Sequence, residues 1–242
     1  MTGQHDITLG GQRVPVQVSF DRFRTLRLTI LPEGIVRVRA PRRTSLKHIQ
    51  AYLESKAAWI LRHIERFRAR SEEAPPLRFV SGERHAYLGG AYLLQASQGE
   101  RDAVRLVDGV FEVTTLFPPR PDRVRALMEA WYLEHARELF ARLIRELRPR
   151  FDELGVARPK RLTLRTMTSR WGTCSRSGTI TLNRDLIKMP LECVEYVVAH
   201  ELCHLRHLGH DAAFYGLLAA IMPDWKKRRL RLRKLALAGL CP

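Results

Sequence analysis

His200-Glu201-Leu202-Cys203-His204-Leu205-Arg206-His207-Leu208-Gly209-His210 is the stretch on which the reading of this chain turns. It contains the pattern H-E-x-x-H, followed by a further histidine at position 210. On a helix, residues four apart lie about 6 Å apart along the axis and about 40° around it. His200 and His204 therefore present two imidazoles to one point, where they can bind a zinc ion. Glu201 lies about 100° from His200. It can take a proton from an attacking water without being a ligand, as a general base must. His210 is the expected third ligand, reached just past the helix. Gly209 can turn the chain there, because glycine tolerates the left-handed conformation that ends helices. His207 also falls on the ligand face, about 20° from His200, and is the alternative third ligand. It stands about 10.5 Å from His200 along the axis, so both reaching one ion would be strained.

The surrounding residues separate this motif from a chance H-E-x-x-H on an ordinary amphipathic helix. Leu191, Val194, Val198, Leu202 and Leu205 point about 120–200° away from His200, so one side serves a core and the other a site. Pro190 suits the helix start. Glu192 and Glu195 fall in the first turns and Arg206 and His207 in the last, as the helix dipole prefers. Cys203 reads as a packed thiol. With Cys174, Cys193 and Cys241 it forms no C-x-x-C pair, which points to reduced thiols in the cytoplasm.

Downstream, Asp211 can cap a helix through Phe214, Leu217, Leu218 and Ile221 to Pro223. Asp224 can cap a last one from Trp225 to about Ala238, stopped by Gly239. That last helix carries Lys226, Lys227, Arg228, Arg229, Arg231, Arg233 and Lys234, which could lie on phosphates. Upstream, Arg161–Thr168 and Thr179–Asn183 read as two strands of a hairpin with an elaborate loop, Ser169 to Gly178. A long helix is expected from Asp122 to Arg148, ended by Pro149. His135 on its apolar face and His85 on a strand are expected to be structural.

Pro118-Pro119 and Pro121 mark the clearest boundary. Before it, strands are expected over 77–115, a polar connector over 71–76 and a helix over 46–69, capped by Thr44 or Ser45. Three strands are expected over 6–40, with a turn at Pro32-Glu33-Gly34. No internal repeat is visible. The chain has 242 residues, 45% of them hydrophobic, enough for one large domain or two small ones. No apolar run approaches a membrane span, and the N-terminus has no signal-peptide core. Net charge is +17, which suits nucleic acid, acidic proteins or anionic lipid as partners, or a basic solvated surface.

The motif and its neighbours resemble the YgjP-like zinc metallopeptidases. The resemblance rests on Ser169-Arg170-Trp171-Gly172-Thr173-Cys174, Leu182-Asn183, Pro190, His200 to His204, His210, Phe214-Tyr215 and Pro223-Asp224. It is dense over about 55 residues and weak over 75–115. Thr173 stands where serine is usual, Gly209 where asparagine is usual, and Tyr215 where tryptophan is usual. The family pattern favours His210 over His207. It also implies a relationship to SprT-type proteases, which act on proteins crosslinked to DNA. The spacing overlaps the metzincin pattern H-E-x-x-H-x-x-G-x-x-H, but His207 stands at its glycine, so the helix is expected to run further before turning.

These readings give an α+β fold: a zincin-like helical domain with a small antiparallel sheet at 118–242, after a β-rich region with one helix at 1–117. The expected activity is zinc-dependent peptide hydrolysis with one ion on His200, His204 and His210 and with Glu201 as base. The substrate would be a protein or peptide, including nucleic-acid-associated proteins. The alternative is a metal-stabilised, basic nucleic-acid-binding module without turnover. Arg170, Tyr215 and Tyr196 are candidate oxyanion donors, and the 161–183 hairpin could offer an edge strand to a peptide. No substrate-binding residue is assigned. DNA is a second expected partner through the basic surface; a membrane is not.

Overall fold

The computed structural model describes residues 2–22, 25–31, 34–73 and 77–237, with the backbone alone at 2–4, 66–73 and 237. It is a mixed α and β structure that divides into two compact units, Met1–Pro76 and Leu77–Pro242. The division falls well before the proline-rich boundary near 117. The reason is packing: Leu94, Phe111 and Val113 from the strands before 117 share one core with the helices after it.

In the first unit, β1 (Thr2–Leu9), β2 (Gln12–Asp21), β3 (Arg27–Ile30) and β4 (Val36–Pro41) form a sheet in the order β1-β2-β4-β3. Four strands stand where three were expected; β1 is the addition, and residues 32–33 of the expected turn lie outside the described residues. Val14, Val16 and Val18 alternate inward with Val36, Val38 and Ala40. Ile49, Leu53, Ile60 and Ile64 cover that face from α1 (Leu46–Ser55) and α2 (Ala57–Glu73). Ser45 caps α1 by accepting from His48 N–H. The single helix expected here is broken at Lys56, whose φ of −111° and ψ of 6° leave the helical range. α2 then runs through Glu73, into the expected connector, whose last residues lie outside the described ones.

The second unit opens with β5 (Arg84–Tyr87), β6 (Gly90–Gln98), β7 (Ala103–Val107) and β8 (Val110–Thr115). Leu77–Val80 is not a strand. The sheet order is β5-β6-β8-β7, the topology of the first sheet again, with a parallel central pair. Register repeats too: Val16 pairs with Val36 and Val18 with Val38, as Leu94 pairs with Phe111 and Ala96 with Val113. The first hairpin of each sheet closes through two residues with positive φ, Gly10-Gly11 and Leu88-Gly89. That is the turn whose twist matches paired strands. A structural repeat is thus present that the sequence hides, since Gln17 and Ser19 match Gln95 and Ser97 while the apolar positions differ.

α3 (Pro121–Glu153) runs through Pro149 instead of stopping there. Buried Phe151 and the bonds from Arg148 to the carbonyls of Val156 and Ala157 hold its last turn in place. β9 (Arg161–Arg165), β10 (Gly172–Cys174) and β11 (Thr179–Asn183) form a small sheet in the order β10-β11-β9. This sheet is mixed, not antiparallel: β9 and β11 are parallel, and the hairpin partner of β11 is β10, from inside the expected loop. A short 3-10 turn (Arg184–Lys188) leads to α4 (Leu191–Cys203), α5 (Ala212–Ile221) and α6 (Trp225–Leu237). No helix among the described residues is long and apolar enough to cross a membrane.

Candidate metal centre and active site

α4 is buried on most of its circumference: Val194, Val197, Val198, Ala199 and Leu202 all lie in the core. Such a helix holds its polar face in a fixed orientation. It ends at Cys203, earlier than the extended helix expected from the glycine position. The last turn tightens instead, with Leu205 N–H donating to the carbonyl of Leu202 and Arg206 N–H to that of Cys203, and Arg206 Nη1 reaches the carbonyl of Leu154. Gly209 does not adopt a left-handed conformation, so the turn does not depend on it. The chain re-enters at α5, where Asp211 accepts from Phe214 N–H and caps the helix.

This path brings His200, His204 and His210 together. Nε2 of His200 stands 3.2 Å from Nε2 of His204 and 3.0 Å from Nε2 of His210. Nitrogens bound tetrahedrally to zinc at about 2.0–2.1 Å lie about 3.3–3.4 Å apart, close to these two spacings, and the three ligand atoms all lie within 4.8 Å of one another. His204 Nδ1 lies 2.8 Å from the carbonyl of His207. An N–H donated there leaves the Nε2 lone pair for a metal, the arrangement that orients metal-binding imidazoles. His207 thus offers its carbonyl and not its ring to the cluster. Nδ1 of His200 is buried with no partner among the described residues. Burial pushes the His200 pKa down to about 3, helped by His204, His210 and the Arg229 guanidinium, and burial also lowers that of His204. Both shifts favour the neutral imidazole, the form that binds a metal.

Phe214, fully buried, lies beneath all three rings, its centroid 4.9 Å from that of His200, 4.6 Å from His204 and 4.8 Å from His210. The sequence marks it only as a core position of α5. Tyr215 stands beside His210, with ring centroids 6.2 Å apart, and stacks on Trp225. Tyr196 is buried against His200, and burial raises its pKa to about 12.

Glu201 is only 4% exposed, and its Oε2 has no hydrogen-bond partner among the described residues. Burial raises its pKa to about 8, against the opposing pull of Arg170. What sits against it is Gly172 of β10. A Cβ there would fall 2.6 Å from Glu201 Oε1 and 2.7 Å from its Cγ. β10 is held by Asn183, fully buried, whose Nδ2 donates to the carbonyls of Met167 and Arg170 and whose backbone N–H donates to that of Trp171. Cys174 and Cys203 flank Glu201; burial pushes their thiols up to about 11 and about 12, so they stand as packed, protonated groups. His135 stacks on Trp131 and His85 is buried beside Glu83, both apart from the cluster.

Three converging imidazoles beside a buried carboxylate are the arrangement that metal-dependent hydrolases use. The profile of the "YgjP-like, metallopeptidase domain" family matches residues 24–235. The chain therefore belongs to the YgjP-like metallopeptidase family and is a metal-dependent hydrolase of the metallopeptidase type. Among solved structures, the metallopeptidase zymogen of Pyrococcus abyssi abylysin is 23% identical, with a TM-score of 0.31 over 44% of this chain and 93% of that one. No curated protein matches.

Proposed function

We propose that the chain is a zinc peptidase with a zincin-like site in which His200, His204 and His210 hold one ion and Glu201 is the general base. The observation that carries this is the convergence of three imidazole Nε2 atoms beside a buried carboxylate. Zinc held there would supply Lewis acidity, polarising a peptide carbonyl and favouring deprotonation of water. Glu201 takes the proton of the attacking water and passes it to the leaving amine. Gly172 gives that carboxylate room, and Phe214 backs the imidazoles. β10 is an edge strand of its sheet, so it offers unpaired backbone groups to an extended peptide. Among the described residues Cys174, Cys193 and Cys203 are unpaired, which fits a reducing cytoplasm, and Cys241 lies outside them.

The proposed substrates include nucleic-acid-associated proteins, on the ground of the +17 charge. α6 supports this less than its sequence suggests. Arg228 pairs with Glu195 and Asp224, and Arg231 with Glu192, so two of its cations serve packing on α4.

The test is to incubate wild type and Glu201→Gln with a proteome, with and without DNA, and read new peptide termini by mass spectrometry. Termini made by wild type alone support the proposal. Equal activity in Glu201→Gln removes Glu201 as base. No new termini, together with salt-sensitive DNA binding, favours the binding-module alternative.

A further inference from the structure

Most arginines around the candidate site are engaged by protein groups. Arg228 and Arg231 bind the carboxylates of α4, and Arg206 binds the carbonyl of Leu154. Two are not. Arg170 and Arg229 are exposed, and neither side chain has a hydrogen bond or ion pair among the described residues.

Their positions bracket the cluster. Arg170 lies two residues before Gly172, the residue that touches Glu201, and its own carbonyl is held by Asn183 Nδ2 at 3.3 Å. Its guanidinium is the one charge that acts to lower the Glu201 pKa. Arg229 lies on α6 one turn beyond Trp225, hence on the same helix face. Trp225 stacks on Tyr215, and Tyr215 flanks His210. The Arg229 guanidinium acts on both His200 and Tyr196. One uncommitted cation therefore acts on the Glu201 side and one on the His200 side. Glu201 itself is buried and turned to β10, and it forms no ion pair with either arginine among the described residues.

We infer that Arg170 and Arg229 are substrate-binding residues that select acidic side chains on the two sides of the scissile peptide. Guanidinium groups match carboxylates with paired, charge-assisted bonds. An arginine already bonded to a protein carboxylate would gain little from a second; an uncommitted one gains the whole bond. The two cations also repel basic peptides, which supplies discrimination as well as attraction. The inference rests on the peptidase reading, whose substrate class it names.

The experiment uses the full chain loaded with zinc, in the Glu201→Gln form so that binding is read without turnover. Fluorescence polarisation compares labelled peptides of equal length in which Glu, Gln or Lys is placed in turn at each position. Glu peptides are expected to bind about 10-fold more tightly than Gln peptides at two distinct positions, an energy of about 1.4 kcal/mol. Arg170→Gln should erase the preference at one position and Arg229→Gln at the other, while Arg176→Gln on the exposed β10–β11 turn should leave both. Circular dichroism of each variant establishes that it is folded. A preference that survives both changes, or that Arg176→Gln removes equally, overturns the inference. So does a result in which the two changes weaken binding of a labelled oligonucleotide and leave the peptide preference intact. Cleavage of neutral peptides by the Glu201 form without acidic preference overturns the inference alone. Acid-selective binding without any cleavage leaves it standing and removes the peptidase reading.

Discussion

Gly172 and Glu201 are in contact across β10 and α4, and the space a Cβ would need on Gly172 is occupied by the Glu201 carboxylate, 2.6 Å from Oε1 and 2.8 Å from Cδ. Gly172→Ala should therefore fold only with a shift of the Glu201 side chain, because the three nearest atoms it meets, Cγ at 2.7 Å included, belong to that side chain and none to the backbone. Displacing the carboxylate should lower turnover by at least about 10-fold, since misplacement of about 1 Å can cost about 100-fold. Zinc content should be unchanged. Turnover and bound metal measured on one preparation check this, and full activity would show that Glu201 needs no fixed position.

The third-ligand assignment predicts unequal effects along one short loop. Loss of an outer-shell partner costs about 10–100-fold in metal affinity, so His210→Ala should cost more than that. His207→Ala should cost little, because its carbonyl is what receives His204. Gly209→Ala should be close to neutral. Its φ is not positive and a Cβ there meets nothing within 4 Å. Zinc titration against a competing chelator ranks the three.

Asn183 predicts a stability effect remote from the chemistry. Its buried amide serves the Met167 and Arg170 carbonyls, and its Oδ1 accepts from Asp185 N–H. Asn183→Ala leaves buried groups unpaired and should cost about 2–3 kcal/mol. Asn183→Asp should be no better, since a carboxylate cannot donate to those carbonyls. Chemical denaturation measures both.

Glu201 predicts a pH dependence of the metal-free protein. Its pKa in the fold is raised from the ordinary 4.5 to about 8. The folded state therefore holds a proton that the unfolded state has released between those values. The contribution is fully present below about pH 4.5 and is lost as pH rises through about 8. Metal-free wild type should lose melting temperature across that window more than Glu201→Gln does. Thermal melts in chelator at several pH values decide it; parallel slopes would exclude Glu201 as the titrating group.

The candidate site is legible in the sequence because its pattern is local. His200, Glu201 and His204 are placed by the helical period alone, and Asp211 by its capping chemistry. Gly172 was not legible, because its role depends on a contact with α4 made through a strand only three residues long. The parallel pairing of β9 and β11 escaped for the same reason: alternation in Leu162, Leu164 and Ile180, Leu182 marks strands and faces but not direction. The break at Lys56 and the continuation through Pro149 follow from packing at Leu53, Ile60 and Phe151, which periodicity does not rank. The second unit began earlier than the prolines suggested because Phe111 and Val113 belong to the core of α3.

The repeated hairpin turn carries unequal obligations in its two copies. In the second, Leu88 N–H donates to the carbonyl of Ile187 and Gly89 N–H to that of Lys188, and a Cβ on Gly89 would fall 2.8 Å from Pro190 Cγ. That corner is a doorstop for the segment entering α4. In the first copy, a Cβ on Gly11 meets nothing within 4 Å. A peptide tag spliced in after Gly11 should leave hydrolysis untouched, whereas the same tag after Gly89 should unseat the histidine helix. One architecture used twice has become a loose end in one place and a wedge in the other.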